Sequence, residues 1–266
     1  MPTFSHDGIR IHFETLGEGP PVVMCHGLTG DRNQPLELLG ELPGHRLVIA
    51  DARAHGDTEP LGPETRICFK QFAADLHALL EHLEIDRSVV GGISMGAAIA
   101  ARFAIDFPNH VRGLVLIRPA WVDASWPESL QLFRLIVQLF EQHGAEQWHQ
   151  VYDHHPLVQD LKQQDPSFVN SMREKFDSPQ NIDRRIRLVR VPGDCPIRNW
   201  EEVESLDTPA LVIGNDNDLA HPIEMAREWA ARLPNARFEQ IPNKSENLEQ
   251  HTQAVRRHLA AFLESI

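Results

Sequence analysis

Short apolar segments alternate along this chain with longer stretches of helical periodicity. Apolar segments without internal alternation occur at residues 22–25, 47–50, 89–90, 114–117 and 211–213, and a further strand is expected at residues 238–241. Such segments are typical of strands that are covered on both faces, as in a parallel sheet. Asp7 and Gly8 precede an alternating stretch over residues 9–14, which predicts a hairpin strand with one face exposed to solvent.

Helical periodicity occupies the intervals between these segments. Residues 69–83 carry apolar side chains at steps of three and four, which predicts an amphipathic helix. Pro222 opens a second helix that reaches about residue 233, and residues 248–263 predict a third. Strands that alternate with helices indicate βαβ units with right-handed crossovers. We therefore expect an α/β fold built on a mostly parallel, doubly wound sheet.

Residues 123–206 interrupt this alternation, because they contain helical patterns but no convincing strand. One helix is expected from Pro127 to Gln142, with Gly144 as its stop. A helical block inserted between two strands predicts a lid over the carboxyl ends of the sheet, where open α/β sheets bind ligands. The alternative is a second helical layer with no role in recognition. The predicted core is then residues 1–122 and 207–266, and the predicted lid is residues 123–206.

Composition limits the range of partners. The chain has 266 residues, of which 42% are hydrophobic, and its formal net charge is −13. That charge argues against nucleic acid or an anionic membrane surface. No apolar run reaches the length of a membrane span, and the first seven residues show no export signal. The three cysteines have no metal-like spacing. We expect a cytoplasmic protein with a small-molecule substrate and no metal or organic cofactor, and its oligomeric state is left open.

The most informative motif is GISMG at residues 92–96. It follows an apolar strand and precedes an alanine-rich helix, so the turn between them must be tight. Such a turn forces Ser94 into a strained backbone conformation and exposes its hydroxyl above the sheet. The amino end of the following helix then points toward whatever Ser94 attacks.

Three motifs in this order resemble the α/β-hydrolase superfamily: CHGLTG at residues 25–30, DARAHG at 51–56 and GISMG at 92–96. The resemblance covers nearly the whole chain outside the helical block. It implies that Ser94 is a nucleophile and that the backbone N–H groups of Leu28 and Met95 form an oxyanion hole. It also implies an acid after the strand at residues 211–213, for which spacing favours Asp218, with Asp216 as the alternative.

The chain departs from the superfamily at the catalytic base. The resemblance implies a histidine between the last strand and the last helix, but residues 241–250 contain none. A serine hydroxyl without a base is a weak nucleophile. Three replacements are open: His251 at the start of the last helix, His221 in the loop of the acid, and Lys244 with a lowered pKa. A site that does not use this triad is the remaining alternative.

Further side chains are expected at the rim of the sheet. Arg118 and Trp121 directly follow the strand at residues 114–117. Arg118 could hold a substrate carboxylate in a bidentate manner, and the alternative is an ion pair with Asp51 or another acid. His26 is a superfamily position that shapes the first loop. We include it with Arg118 and Trp121 among the expected substrate contacts.

These observations lead to one principal hypothesis and two alternatives. The principal hypothesis is the hydrolysis of a small ester, lactone or related acyl compound through Ser94 and an atypical base. One alternative is lyase or isomerase chemistry, in which the serine only polarises an oxygen. The other is a catalytically silent binder of small molecules, which the missing histidine motivates.

Overall fold

A computed structural model describes residues 2–176 and 179–266 of the chain. Its centre is an eight-stranded sheet in the order β1-β2-β4-β3-β5-β6-β7-β8. The strands are β1 (Thr3–His6), β2 (Ile9–Leu16), β3 (Pro21–Cys25), β4 (Arg46–Ala50), β5 (Ser88–Ile93), β6 (Val111–Ile117), β7 (Ala210–Gly214) and β8 (Ala236–Gln240). Pairings from β4 through β8 are parallel, and β1 and β2 form the predicted antiparallel hairpin. The predicted α/β fold class is confirmed.

Helices connect these strands. They are α1 (Asn33–Leu39), α2 (Phe69–His82), α3 (Met95–Asp106), α4 (Gln131–His154), α5 (Pro156–Gln164), α6 (Pro166–Lys175), α7 (Pro179–Asp183), α8 (Arg187–Arg190), α9 (Glu201–Glu204), α10 (Ile223–Arg232) and α11 (Leu248–Glu264), with 3-10 turns at Glu64–Arg66, Pro108–His110 and Glu128–Leu130. No helix within the described residues is long and apolar enough to cross a membrane.

The sheet is covered on both faces, as the non-alternating apolar segments predict. Val23 of β3 packs in a cluster that contains residues of α2, α3 and α10. Its neighbours Val22 and Met24 pack in a second cluster with residues of α1 and α11. Successive side chains of a strand point to opposite faces, so these two clusters lie on opposite sides of the sheet. This is the doubly wound arrangement.

The segment between β6 and β7 contains α4 to α9 and no strand among its described residues, 123–176 and 179–206. We refer to residues 123–206 as the helical segment. Gly144 has φ 72° and ψ 173°, so it breaks α4 into two helices where a stop was expected. A positive φ of this kind is accessible to glycine at little steric cost. The division of the chain into a core and a lid stays a prediction.

Buried ion pairs hold the loops at the carboxyl edge of the sheet. Arg32 and Asp51 form one pair, and the Asp51 carboxylate also accepts the backbone N–H of Asp57 at 2.8 Å. Arg53 is fully buried and forms a bidentate pair with Asp75 of α2, with N–O distances of 3.0 and 2.8 Å. These contacts fix the loop after β4 to the helix layer.

We expect Asp75→Leu to lower the free energy of unfolding by about 3 kcal/mol, because it leaves the buried Arg53 guanidinium without its main counter-charge. The double variant Arg53→Met with Asp75→Leu should recover most of that loss, since both charges are removed together. Guanidinium unfolding monitored by circular dichroism measures both values.

The matched control is Glu204→Ala. Glu204 pairs with Arg232 at 2.8 Å, but both side chains are more than 40% exposed. An exposed ion pair is screened by solvent and contributes little to stability, so this variant should be nearly as stable as the parent. A double variant no more stable than Asp75→Leu alone would contradict this account of the Arg53 pair.

Candidate active site

A tight turn between β5 and α3 presents Ser94. The residue has φ 57° and ψ −111°, a strained conformation for a side chain other than glycine. Glycines on either side make the turn possible. A Cβ atom on Gly92 would overlap the backbone of Gly96, and one on Gly96 would overlap the carbonyl of Cys25. The GxSxG spacing is therefore a steric requirement of this turn.

Ser94 borders a cavity of about 430 Å³ at the carboxyl edge of the sheet. Ser94 itself is 9% exposed to solvent. No hydrogen bond joins the Ser94 hydroxyl to another side chain in the described part of the chain. The structure brings most of the predicted site residues to the same cavity: Leu28, Arg118, Trp121, Asp218, His221 and Lys244.

Asp218 and His221 form a hydrogen-bonded pair in the loop between β7 and α10. His221 Nδ1 lies 2.9 Å from Asp218 Oδ1. The same oxygen accepts the backbone N–H groups of Ala220 and His221, each at 3.2 Å. A carboxylate only accepts hydrogen bonds, so Nδ1 carries the proton and Nε2 is the basic nitrogen of a neutral ring. Both residues line the cavity that contains Ser94.

Arg118 is the third member of this cluster. It directly follows β6, is 6% exposed, and donates from Nη1 to Asp218 Oδ2 at 3.1 Å. Of the two roles expected for Arg118, the structure shows the ion pair with an acid of the rim, and that acid is Asp218. Its Nε is buried without a hydrogen-bond partner among the described residues.

Burial and neighbouring charges together set the pKa values of Asp218 and His221. Burial alone raises the pKa of Asp218, but the contact with His221 and the charge of Arg118 outweigh it and hold that pKa well below its ordinary value. Burial lowers the pKa of His221 below its ordinary value, and the Asp218 charge offsets only part of this effect. At neutral pH the pair therefore consists of a carboxylate and a neutral imidazole.

His251 and Lys244 are placed differently. His251 is 1% exposed, and its Nδ1 lies 2.8 Å from the carbonyl of Pro242. It is not among the residues that line the cavity of Ser94, and burial lowers its pKa to about 4. Lys244 borders that cavity at an exposed position, and the positive charge of Arg118 together with partial burial lowers its pKa to about 8.

His26 lies behind the first loop and is not among the residues that line the cavity of Ser94. Its Nε2 accepts the N–H of Ala52 at 3.0 Å, so Nδ1 donates to the carbonyl of Gly27 at 2.9 Å. That carbonyl belongs to the same peptide unit as the N–H of Leu28. The structure therefore places His26 as a support of the loop and not as a substrate contact.

Of the two amides expected to form an oxyanion hole, that of Met95 directly follows Ser94 in the chain, and that of Leu28 belongs to a residue that lines the same cavity. Met95 is the first residue of α3, so its N–H has no acceptor inside the helix. Leu28 lines the cavity, and its carbonyl accepts a hydrogen bond from Arg187 Nε at 3.2 Å. Arg187 belongs to α8 and is 2% exposed. The helical segment thus holds the loop that carries Leu28.

Two further predicted residues have clear positions. Trp121 is 1% exposed and lines the cavity, and its carbonyl accepts the Trp229 indole N–H at 2.7 Å. Asp216, the alternative acid, is hydrogen-bonded to Gln240 and is not part of the lining of the Ser94 cavity. Only Asp218 of these two acids therefore borders the cavity.

Helix α6 contributes to the cavity, which the sequence pattern did not predict. This helix supplies cavity residues at a helical spacing, namely Ser167, Phe168, Ser171, Met172 and Lys175. Positions 167, 171 and 175 are four apart and therefore lie on one face of the helix. The spacing is visible in the sequence, but it does not tell which way the helix faces. Lys175 donates to Thr29 Oγ1 at 3.0 Å.

Comparisons with known proteins agree with this fold. The profile of the alpha/beta hydrolase fold matches residues 20–247. A Bacillus subtilis (strain 168) protein provisionally named 2-succinyl-6-hydroxy-2,4-cyclohexadiene-1-carboxylate synthase is 26% identical over 255 residues, which cover 89% of this chain and 88% of that protein. The 2-hydroxy-6-oxo-2,4-heptadienoate hydrolase of Pseudomonas putida is 38% identical over 129 residues, 46% of each chain.

A solved structure supports the same conclusion. The enol-lactonase from Burkholderia xenovorans LB400 superimposes with a TM-score of 0.73, at 21% identity, over 99% of this chain and 100% of that one. The chain belongs to the α/β-hydrolase fold family, and the proteins compared here are named as enzymes.

We expect Gly96→Ala to lower the free energy of unfolding by about 2 kcal/mol or more, because its Cβ would overlap the backbone carbonyl of Cys25. Gly113→Ala is the control. The added Cβ there meets the ends of the Ile266 and Phe262 side chains, which can move. Chemical unfolding compares the two variants, and equal losses would contradict the steric account of the turn.

Proposed function

We propose that this protein hydrolyses a small ester, lactone or related acyl compound, with Ser94 as nucleophile and His221 as base. The observation that supports this most is the Asp218–His221 pair, which borders the same cavity as the strained serine. A nucleophile, a base and a group that orients the base are the three parts that nucleophilic catalysis requires. Asp218 and His221 lie three residues apart in one loop.

The proposed reaction has two halves. The Ser94 oxygen attacks the acyl carbonyl while His221 Nε2 takes the hydroxyl proton. The resulting tetrahedral intermediate collapses, and the imidazolium returns that proton to the leaving alkoxide. A water molecule then attacks the acyl-enzyme, with His221 again as base, and releases the acid and the free serine. Asp218 stays ionised throughout and keeps the proton on Nδ1.

The negative oxygen of the intermediate is stabilised by the N–H groups of Leu28 and Met95. Each donor of this kind contributes on the order of 3 kcal/mol to the transition state. His26 and Arg187 act on the peptides around Leu28 and so keep its N–H in place. We also propose that the helical segment acts as a lid, because α6 forms one wall of the cavity.

His221 is the better base of the three candidates at neutral pH. Its neutral ring is ready to accept a proton, whereas an amine with a pKa of about 8, as for Lys244, is mostly protonated at pH 7. His251 does not border the cavity. The Ser94 hydroxyl forms no hydrogen bond to His221 in this structure. This is consistent with the proposed role, because catalytic hydrogen bonds are often long without substrate and tighten when it binds.

A covalent probe tests the role of Ser94 as nucleophile. A fluorophosphonate probe should label the protein, and Ser94→Ala should abolish both labelling and the hydrolysis of 4-nitrophenyl acetate. Intact-protein mass spectrometry and peptide mapping measure the labelling. Ser171→Ala is the matched control, since Ser171 lines the same cavity on α6. Full turnover of a true substrate by Ser94→Ala would instead favour lyase or isomerase chemistry.

The role of His221 as base predicts a specific pH dependence. We expect His221→Gln to lower kcat by about 10⁶-fold, the cost of losing the base in a serine hydrolase. Because the base must be neutral and burial lowers the pKa of His221, kcat/KM should rise with pH along one ionisation below 6.5 and then stay level. Asp218→Asn should move this ionisation to lower pH, because the charge that raises the His221 pKa is lost.

The same profile separates the candidates. A rise of kcat/KM with pH along an ionisation near 8 that disappears in Lys244→Met would assign the base to Lys244. An ionisation near 4 that disappears in His251→Gln would assign it to His251. Either result would contradict the role of His221.

A further inference from the structure

Positive side chains line the cavity of Ser94, although the protein as a whole has a net charge of −13. Arg118, Lys175 and Lys244 border the cavity, together with two acids, Asp165 and Asp218. With His221 neutral, three positive charges face two negative ones. Among its described residues, the cavity lining therefore carries one excess positive charge in an acidic protein.

Both acids are already bound by other groups. Asp218 accepts from His221 and Arg118. Asp165 is the N-cap of α6, where its Oδ1 accepts the backbone N–H groups of Ser167 and Phe168 at 2.9 and 3.0 Å. The other oxygen of Asp165 accepts the hydroxyl of Ser245 at 3.2 Å. Neither carboxylate forms an ion pair with a lysine of the cavity.

The two lysines have no acidic partner among residues 2–176 and 179–266. Lys175 Nζ contacts only the hydroxyl of Thr29 at 3.0 Å, a neutral group. Lys244 has no ion pair and no side-chain hydrogen bond in the same ranges. Burial and the charge of Arg118 both lower the pKa of Lys175, and Arg118 also lowers that of Lys244. The charges of Asp218 and Asp165 raise the pKa of Lys244 but do not offset this effect. Within these ranges both lysines therefore lie near Arg118 without a paired carboxylate of their own.

Another part of the cavity wall is apolar. It is formed by Leu28, Trp121, Leu130, Phe133, Phe168 and Met172. A ligand that fills about 430 Å³ here would therefore place an apolar body against these side chains and an anionic group among the cations. One excess positive charge matches one carboxylate better than a doubly charged phosphate.

We propose that Lys175 and Lys244, with Arg118 as the third positive charge, bind a carboxylate of the substrate. This inference rests on the proposed function: the substrate is then an ester or lactone that also carries a free carboxylate. Lys175 comes from the helical segment and Lys244 from the loop after β8, so two separate parts of the chain would hold the carboxylate.

A pair of substrates of the same shape tests this directly. The mono-4-nitrophenyl ester of adipic acid carries a terminal carboxylate, and 4-nitrophenyl 6-methylheptanoate has an isopropyl group in its place. The parent should prefer the adipate ester in kcat/KM by about tenfold or more, and Lys175→Met and Lys244→Met should each lower that preference by about tenfold. The ratio is the readout, so a general loss of activity does not affect it.

Two further variants serve as controls. Lys175→Arg keeps the positive charge and should keep most of the preference. Lys162→Met removes an exposed lysine of α5 that does not border the cavity, and it should leave the ratio at the parent value. A preference that is absent in the parent, or that survives in both methionine variants, overturns the carboxylate site and leaves the hydrolase proposal standing.

Binding without turnover separates the two proposals. Adipate titrated into Ser94→Ala in a calorimeter should bind, and its affinity should fall about tenfold when Lys175→Met is added. If adipate binds in this way but the parent protein hydrolyses neither ester, the carboxylate site is retained and the proposed function is overturned. Inorganic phosphate that binds more tightly than adipate would overturn the assignment to a carboxylate.

Discussion

The close approach of α3 to β3 is the constraint on which the site depends. Gly96 lies so near the carbonyl of Cys25 that no side chain fits between the helix and the strand. This contact fixes where α3 begins, and the turn that remains leaves Ser94 in its strained conformation. The first N–H groups of the helix then lie beside the serine. Close packing in the core and the position of a reactive hydroxyl are thus consequences of the same contact.

Asp218 connects this turn to the rest of the cavity. It accepts hydrogen bonds from the ring of His221 and from Arg118. These residues lie in the loops after β7 and β6, the two strands that follow β5 in the sheet. Because the carboxylate is buried and bound on both oxygens, its charge is held in one place. That charge orients the imidazole and also offsets part of the positive charge of Arg118. One buried group therefore serves both the proposed chemistry and the electrostatics of the cavity.

Much of the fold could be predicted because its signals are local. Apolar segments identify interior strands, and the glycines of residues 92–96 identify the turn without knowledge of distant contacts. The choice among His221, His251 and Lys244 is different, since it depends on where the loops lie in space. The sequence did contain a signal that His251 is a core residue. Positions 251, 255 and 259 share one face of α11, and all three residues are buried. Its place on the apolar face of that helix argues against a catalytic role.

The position of Lys175 at the cavity also could not be predicted, because it depends on the orientation of α6. Contacts at the two ends of this helix set that orientation. Asp165 at one end contacts Ser245, and Lys175 at the other contacts Thr29. The proposed acid and base, Asp218 and His221, lie three residues apart in the loop after β7. The proposed proton transfer therefore uses no residue of the segment after β8. Substitutions in that segment could then adapt the enzyme to new compounds over evolutionary time while the reaction itself is conserved.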